Sequence, residues 1–391
     1  MSTAPSSASS RPPGGAAAPQ GRIQSIDALR GLVILLMLVD HAREFFFIHA
    51  QVSDPMNLET TSPALFFTRL AAHFCAPVFI ALAGLGAWLY GAKSGGAKAA
   101  SAFLLKRGLF LVVLELTVVS FVWSFSVAPP VMYLQVIWAI GLSMIVLAAL
   151  VHLPRGLLIA LGLVIVLGHN LLDPITITEG PGHVLWAILH DRGMIDLPWG
   201  GQARTSYPLL PWIGVAALGY GVGPWFAAEG RTRRRRLVGL GLAMLALFVV
   251  LRTINLYGDQ PWTIQPSLLG TMMSVLNLTK YPPSADFLLA TLGVGVLLLA
   301  GLEKASKRLV GMLAVFGGAP LFFYLLHLLV LHLLYLGALA VWGANEGQSF
   351  GVPGVTWLWL IAALVAPPCW YACRWFAGVK RRSPHWWMRY L

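Results

Sequence analysis

Charge is scarce in this chain of 391 residues: Asp, Glu, Lys and Arg make up 11% of it against 58% for apolar residues, and the mean hydropathy is +0.74. A soluble globular protein carries about a quarter charged residues, so the composition excludes that class and points to a polytopic membrane protein. Acids are the scarcer sign, 15 against 27 bases, for a net charge of +12. Cysteine is scarcer still. Cys75, Cys369 and Cys373 fall in or beside apolar stretches, at spacings that fit neither a disulfide framework nor a zinc motif, and read as core thiols. No metal site is expected, because His327 and His332 are five apart and hence about 140° apart around a helix. The apolar stretches also follow one another too closely for a soluble domain of ordinary size between them. Residues 1–21, mostly Ser, Ala, Pro and Gly, lack the hydrophobic stretch of a secretory signal. The expectation is a disordered tail over 1–21, one membrane domain over 22–379 and a basic tail over 380–391.

Stretches of about 17 to 25 apolar residues can cross a bilayer. They lie near 28–48, 73–91, 103–126, 131–151, 156–172, 207–227, 237–256, 285–302, 320–342 and 355–377, which predicts an all-α bundle of about ten transmembrane helices. With a cytoplasmic N-terminus, 21 of the 27 basic residues fall on the cytoplasmic side; only Arg43, Arg69, Arg192, Arg204, Arg252 and Lys280 do not. The positive-inside rule therefore places both termini in the cytoplasm. The Arg-Thr-Arg-Arg-Arg-Arg run at 231–236 could hold phosphates or anionic lipid headgroups, but a basic inner loop explains it more simply, and nucleic-acid binding has no separate support. The long outer segments 49–72, 173–206 and 257–284 are where function is expected to gather.

The first span is the least ordinary part of the chain. It begins at Ser25, expected as N-cap, with Asp27 in the first turn. Arg30 and His41 are eleven residues apart, close to three turns, so they share one helix face about 16 Å apart along the axis. Asp40, His41, Arg43 and Glu44 cluster at the far end, where ionisable groups cost a few kcal/mol each unless they meet a partner or a wet cavity. A polar site inside the membrane follows.

Two features of this span, Ser25-Ile-Asp-Ala-Leu-Arg-Gly-Leu and the Arg30/His41 spacing, resemble the transmembrane acyltransferases of acyltransferase family three. Five further blocks occur in order: His73-Phe-Cys-Ala-Pro-Val-Phe-Ile-Ala-Leu-Ala-Gly, Gln135-Val-Ile-Trp-Ala-Ile-Gly, Tyr207-Pro-Leu-Leu-Pro-Trp-Ile-Gly, Asn277-Leu-Thr-Lys-Tyr-Pro-Pro-Ser and Pro320-Leu-Phe-Phe-Tyr-Leu-Leu-His. With them the chain, from 22 to about 377, more closely resembles the bacterial membrane proteins grouped with the catalytic domain of heparan-alpha-glucosaminide N-acetyltransferase. The resemblance implies a bundle that takes an acetyl or short acyl group from cytoplasmic acyl-CoA, used as co-substrate without a permanently bound cofactor, and passes it to a carbohydrate or envelope acceptor on the outer side. Arg30 would hold the donor. A neutral His41 would serve as general base or as nucleophile, with its ring partner coming from another helix. In the glucosaminide enzyme the catalytic histidine lies just beyond the first helix, so His49 competes with His41. The same resemblance, with Arg outnumbering Lys, points to a bacterial inner membrane.

Other residues carry two readings each. Glu115, deep in the third span, is a structural hydrogen bonder or a partner for His or Arg. Arg252 could pair with Asp40, Glu44 or Glu115, or snorkel to the interface. His169, Asn170 and Asp173 could line an acceptor site or cap a helix; His73 and His327 are secondary candidates, the latter one turn from Tyr324. Gly84 and Gly86 suit close helix packing. Two alternatives stay open: a secondary transporter or flippase using Asp40, Glu44, Glu115 and Arg252 as its pathway, and a non-catalytic membrane assembly protein. Membrane lipid is the expected surrounding, and a homo-oligomer is compatible with the sequence.

Overall fold

The structure is a computed structural model that describes residues 22–198, 200–385 and 388. The tail expected to be disordered over 1–21 lies outside the described residues, as does most of the C-terminal tail beyond His385. The first half comprises α1 (Gln24–Phe46), α2 (Pro63–Ala72), α3 (Cys75–Ser94), α4 (Ala97–Leu114), a π-helical turn over Glu115–Val119, α5 (Ser120–Ser124), β1 (Val131–Leu134), α6 (Val136–Leu150) and α7 (Arg155–Gly168). After these come α8 (His183–Leu189), β2 (Met194–Asp196), β3 (Gln202–Thr205), α9 (Leu210–Gly221) and α10 (Gly230–Ile254). The chain continues through α11 (Leu268–Leu276), α12 (Ala285–Leu302), α13 (Lys307–Gly318), α14 (Pro320–Trp342) and α15 (Val355–Arg382).

Among the described residues, 6 helical stretches are long and apolar enough to cross a membrane: Pro63–Ser94, Arg155–Leu172, Gly230–Ile254, Ala285–Leu302, Pro320–Trp342 and Val355–Arg382. The other expected spans are helical as well, but α1 carries its charge cluster, the 97–124 stretch is broken by the π turn, and α6 and α9 have only 15 and 12 residues. Large apolar side chains such as Val113, Val164, Leu242, Val249 and Leu364 stand exposed on the outward faces of these helices. Water does not tolerate so continuous an apolar surface, and the chain is an integral membrane protein.

Three expectations need correction. The chain is mostly but not wholly helical: β1 pairs in parallel with β3 (Val131 opposite Gln202) and β2 antiparallel with β3, so three short loop segments satisfy one another's backbone groups. Ser25 is not the N-cap of α1. The helix starts one residue earlier, the Ser25 hydroxyl is buried without a partner, and the first turn is fixed by Asp27, which accepts from Arg22 at 2.5 Å and from Arg30 at 3.2 Å. Finally, two stretches expected as loops are helices. The 63–72 segment becomes α2 behind Ser62, whose hydroxyl accepts from Leu65 N, and 307–318 becomes α13 behind Ser306, which accepts from Leu309 N.

α13 runs antiparallel along the first half of α1. Any Cβ at Gly31 would overlap the Leu313 carbonyl, and one at Gly317 would overlap the Asp27 carbonyl, so the two backbones touch at both notches. Gly84 does the same against α9, as expected; Gly86 instead faces Arg30. These close approaches hold α1 in the middle of the bundle, against α3, α12, α13, α14 and α15.

Candidate active site

A cavity of about 390 Å³ follows α1 from Arg22, Asp27 and Arg30 at its N-terminal end to Asp40 and His41. Helix periodicity alone aligned Arg30 with His41, and both do line this space. Around Arg30 the cavity is basic: Arg22, Arg107 of α4 and Lys380 of α15 border it, while Arg30 itself is tied to Asp27 and donates to the Leu82 carbonyl at 3.4 Å. Gly86 faces the guanidinium, and a Cβ there would meet Nη2 at 3.6 Å, an ordinary packing distance. Midway the walls are apolar, with Phe79, Leu111, Ile140 and Leu321, and Cys75, whose thiol donates to the Val33 carbonyl at 3.1 Å.

At the far end the His41 ring meets α14. His41 Nδ1 lies 2.6 Å from His327 Nε2, and His327 Nδ1 lies 2.7 Å from the Phe323 carbonyl. The rings are within 3° of parallel with centroids 4.9 Å apart, a separation equal to the N–N distance plus two ring radii, so the bond lies in the common plane. The carbonyl can only accept. His327 Nδ1 therefore carries a proton, its Nε2 offers a lone pair, and His41 Nδ1 donates to it. That fixes the His41 tautomer with a free lone pair on Nε2, the ring edge without a hydrogen-bond partner among the described residues. Tyr324, one turn before His327, borders the cavity and packs edge-on against His41 at 5.7 Å; by hydrogen-bond geometry its buried hydroxyl is without a partner, although the Trp123 indole lies beside it.

The charges beside His41 form a closed network. Arg69 of α2 grips both Asp40 oxygens, at 2.8 and 2.9 Å, and Arg43 Nε adds a third bond at 3.2 Å. Arg43, fully buried, also binds Glu44 and donates to Gln51 Oε1 at 3.1 Å. Two cations thus face two anions in direct contact, with Lys280 acting on Asp40 from farther off. Asp54 accepts from Lys280 N at 3.2 Å; burial pushes its carboxyl above the usual carboxylate range, with Arg69 and Lys280 pulling the other way.

The remaining predicted residues lie elsewhere. His49 is exposed in the short turn after α1, beside Gly351, and does not border the cavity. Glu115 is buried at the π turn and accepts from Trp138 N at 3.1 Å, so it caps α6 from a neighbouring helix. Arg252 reaches none of Asp40, Glu44 or Glu115. It donates to the carbonyls of Gln260 (2.7 Å), Val275 (2.9 Å) and Ser274 (3.3 Å) and lies 3.9 Å from Asp286, clamping the 257–284 connection; a five-donor guanidinium finds backbone acceptors closer than a distant carboxylate. His73 is buried between α2 and α3 against Phe287. His169 is buried at the end of α7, near Asp173 and His190.

Sequence reasoning did not single out Arg69, Lys280, Tyr207, Arg107 or Lys380 as site residues. Lys280 and Tyr207 stood inside two of the blocks that carried the resemblance, and Arg107 and Lys380 were taken as topological charge. Helix spacing gave no hint that eight different helices, α1, α2, α3, α4, α6, α13, α14 and α15, converge on one cavity.

Residues 22–257 match the family model described as heparan-alpha-glucosaminide N-acetyltransferase, catalytic. The match stops short of the blocks at 277–284 and 320–327, which carry Lys280, Tyr324 and His327. No curated protein matches the chain.

Proposed function

The chain belongs to the heparan-alpha-glucosaminide N-acetyltransferase catalytic family, and we propose that it moves an acetyl group from cytoplasmic acetyl-CoA to a carbohydrate or envelope acceptor across the membrane. In this reading about ten helices span the bilayer, both termini are cytoplasmic, and the Arg22 end of the cavity is its cytoplasmic mouth. Arg22, Arg30, Arg107 and Lys380 give that mouth the charge that holds a nucleotide's phosphates. The apolar middle accommodates the pantetheine arm, and the thioester arrives at His41.

There the His327-oriented imidazole does the chemistry. As general base, His41 Nε2 takes the proton of the acceptor hydroxyl or amine while that atom attacks the thioester carbon. The thiolate of CoA leaves and receives the proton from the imidazolium. As nucleophile, Nε2 attacks the thioester carbon first and the C–S bond breaks to release the CoA thiolate; the acceptor then attacks the acetyl carbon, the bond to Nε2 breaks, and the acceptor's proton passes to the thiolate. In both routes the Tyr324 hydroxyl is placed to donate to the carbonyl oxygen as it gains charge. Arg43 and Arg69 hold Asp40 beside the reacting histidine.

The observation that carries this reading is the tautomer of His41, fixed by His327 inside a cavity with a basic mouth. A transport pathway has less support: Asp40 is locked by two arginines, Glu115 caps a helix, and Arg252 clamps a loop. The test uses purified protein and acetyl-CoA labelled in its acetyl group. Thioester cleavage or label retained on protein, lost in folded His41→Ala and kept in His49→Ala, is the expected result. Equal behaviour of His41→Ala and wild type overturns the assignment.

A further inference from the structure

A second cluster lies outside the acyl-transfer cavity, at the end of α1's neighbours opposite the Arg22 mouth. His169 follows α7, Asp173 follows it by four residues, and His190 ends α8 in the 173–206 connection. One side-chain ligand atom from each lies within 4.8 Å of the other two. We propose that His169, Asp173 and His190 bind a divalent cation of the zinc class, which pins the 173–206 connection to α7.

The donor set favours that class. Two imidazoles and one carboxylate suit zinc, nickel or copper, whereas calcium and magnesium want oxygen ligands. His190 Nε2 and Asp173 Oδ1 are 3.4 Å apart. Two ligands at about 2.0–2.1 Å from a tetrahedral zinc are separated by about 3.3 Å, so this pair already has the span of one tetrahedral edge.

Independent of that spacing, most polar atoms here lack partners; His190 Nε2 lies 3.1 Å from the His169 carbonyl, a contact that coordination through Nε2 replaces. His169 and His190 are 2% and 1% exposed, and by hydrogen-bond geometry both His169 ring nitrogens and His190 Nδ1 are without partners, although the Pro283 carbonyl lies beside the His169 ring. Two buried imidazoles left this way are costly unless something else engages them. Supporting groups stand where a metal site needs them. Asn170 Nδ2 donates to Asp173 Oδ2 at 2.8 Å, which leaves Oδ1 for the cation, and Asp191 Oδ1 lies 3.6 Å from His190 Nδ1, the nitrogen that stays protonated when Nε2 coordinates. The adjoining pocket, about 170 Å³, is bordered by Asp173, His190, Asp191 and Asp259 and by no lysine or arginine, so it is electronegative. His169 and Asp173 stood together in the sequence as a possible acceptor site or helix cap, but the spacing of the three residues along the chain matches no ligand motif and nothing in it pointed to His190.

The test is zinc binding by the untagged full chain in detergent after treatment with a chelator, measured by calorimetry and elemental analysis with zinc chloride as the only added ligand. One equivalent is expected, together with a rise in the thermal unfolding midpoint. The joint His169→Gln and His190→Gln variant loses both. Asp173→Asn alters a half-exposed side chain, keeps the fold, and weakens binding at least tenfold. Cobalt in place of zinc gives the visible absorption of a low-coordinate site in wild type and not in the joint variant. Zinc bound equally by wild type and by Asp173→Asn, or magnesium competing as well as zinc, overturns the proposal.

Discussion

His327 donates to the Phe323 carbonyl through Nδ1 and accepts from His41 through Nε2, at 2.7 and 2.6 Å, so a residue 286 positions away decides which nitrogen of His41 can act as base. A histidine in this position is a positioning residue, and its loss has a recognisable kinetic form.

His327→Ala is expected to lower kcat roughly 10- to 100-fold, less than the about 100- to 10,000-fold a general base contributes because His41 itself remains, while KM for acetyl-CoA stays near wild type. His327→Asn, whose amide can accept from His41 and donate to Phe323, recovers part of the rate. Steady-state kinetics on folded protein decide it, and equal losses in both variants would point to packing rather than tautomer control.

Lys380→Ala and Arg107→Ala act at the opposite end of the cavity. Each removes one charge from the donor's mouth, and a charged contact of about 1.5–3 kcal/mol corresponds to a rise in KM of tenfold or more with kcat little changed. Acetyl-pantetheine, lacking the nucleotide phosphates, should be used equally well by wild type and variants; the two substrates compared side by side separate phosphate binding from a general loss of fold.

Arg69→Ala leaves Asp40 hydrogen-bonded to Arg43 alone, with Lys280 acting on it from farther off. Removing one partner of such a pair costs about 3–5 kcal/mol, seen as a lower unfolding midpoint in detergent. Combining it with Asp40→Ala restores part of the loss, because the double change removes the stranded charge. If the double variant is the sum of the singles, the network is not cooperative.

Glu115→Gln keeps an oxygen to accept from Trp138 N and should change little, whereas Glu115→Ala takes the cap from α6 and costs about 1–2 kcal/mol. Activity per folded molecule stays unchanged in both. A large rate effect in Glu115→Gln alone would sink the capping role and return Glu115 to the chemistry.

The outcome for particular residues shows what sequence periodicity can reach. Arg30 and His41 were aligned from spacing, because 3.6 residues per turn holds wherever a helix forms. The helices at 230–254, 285–302, 320–342 and 355–382 were legible from hydropathy, since a bilayer demands long apolar runs. α13 was not legible: twelve residues with three glycines are too short and too small-featured to stand out, and their helix is secured by contact with α1. Arg252 was assigned the wrong partners because its donors are satisfied by loop carbonyls, which no pairing of charges along the chain reveals.

The sequence by itself determined that this protein lives in a membrane and that one helix carries a basic group and an imidazole on a shared face. Both follow from local quantities, transfer free energy per residue and the pitch of a helix. Only the tertiary structure decided that His327 orients His41, that Arg69 neutralises Asp40, and that His169, Asp173 and His190 meet. Those choices depend on the depth at which one helix slides against the next. Notches such as Gly31 and Gly317 set that depth, and a residue's neighbours in sequence carry no record of it.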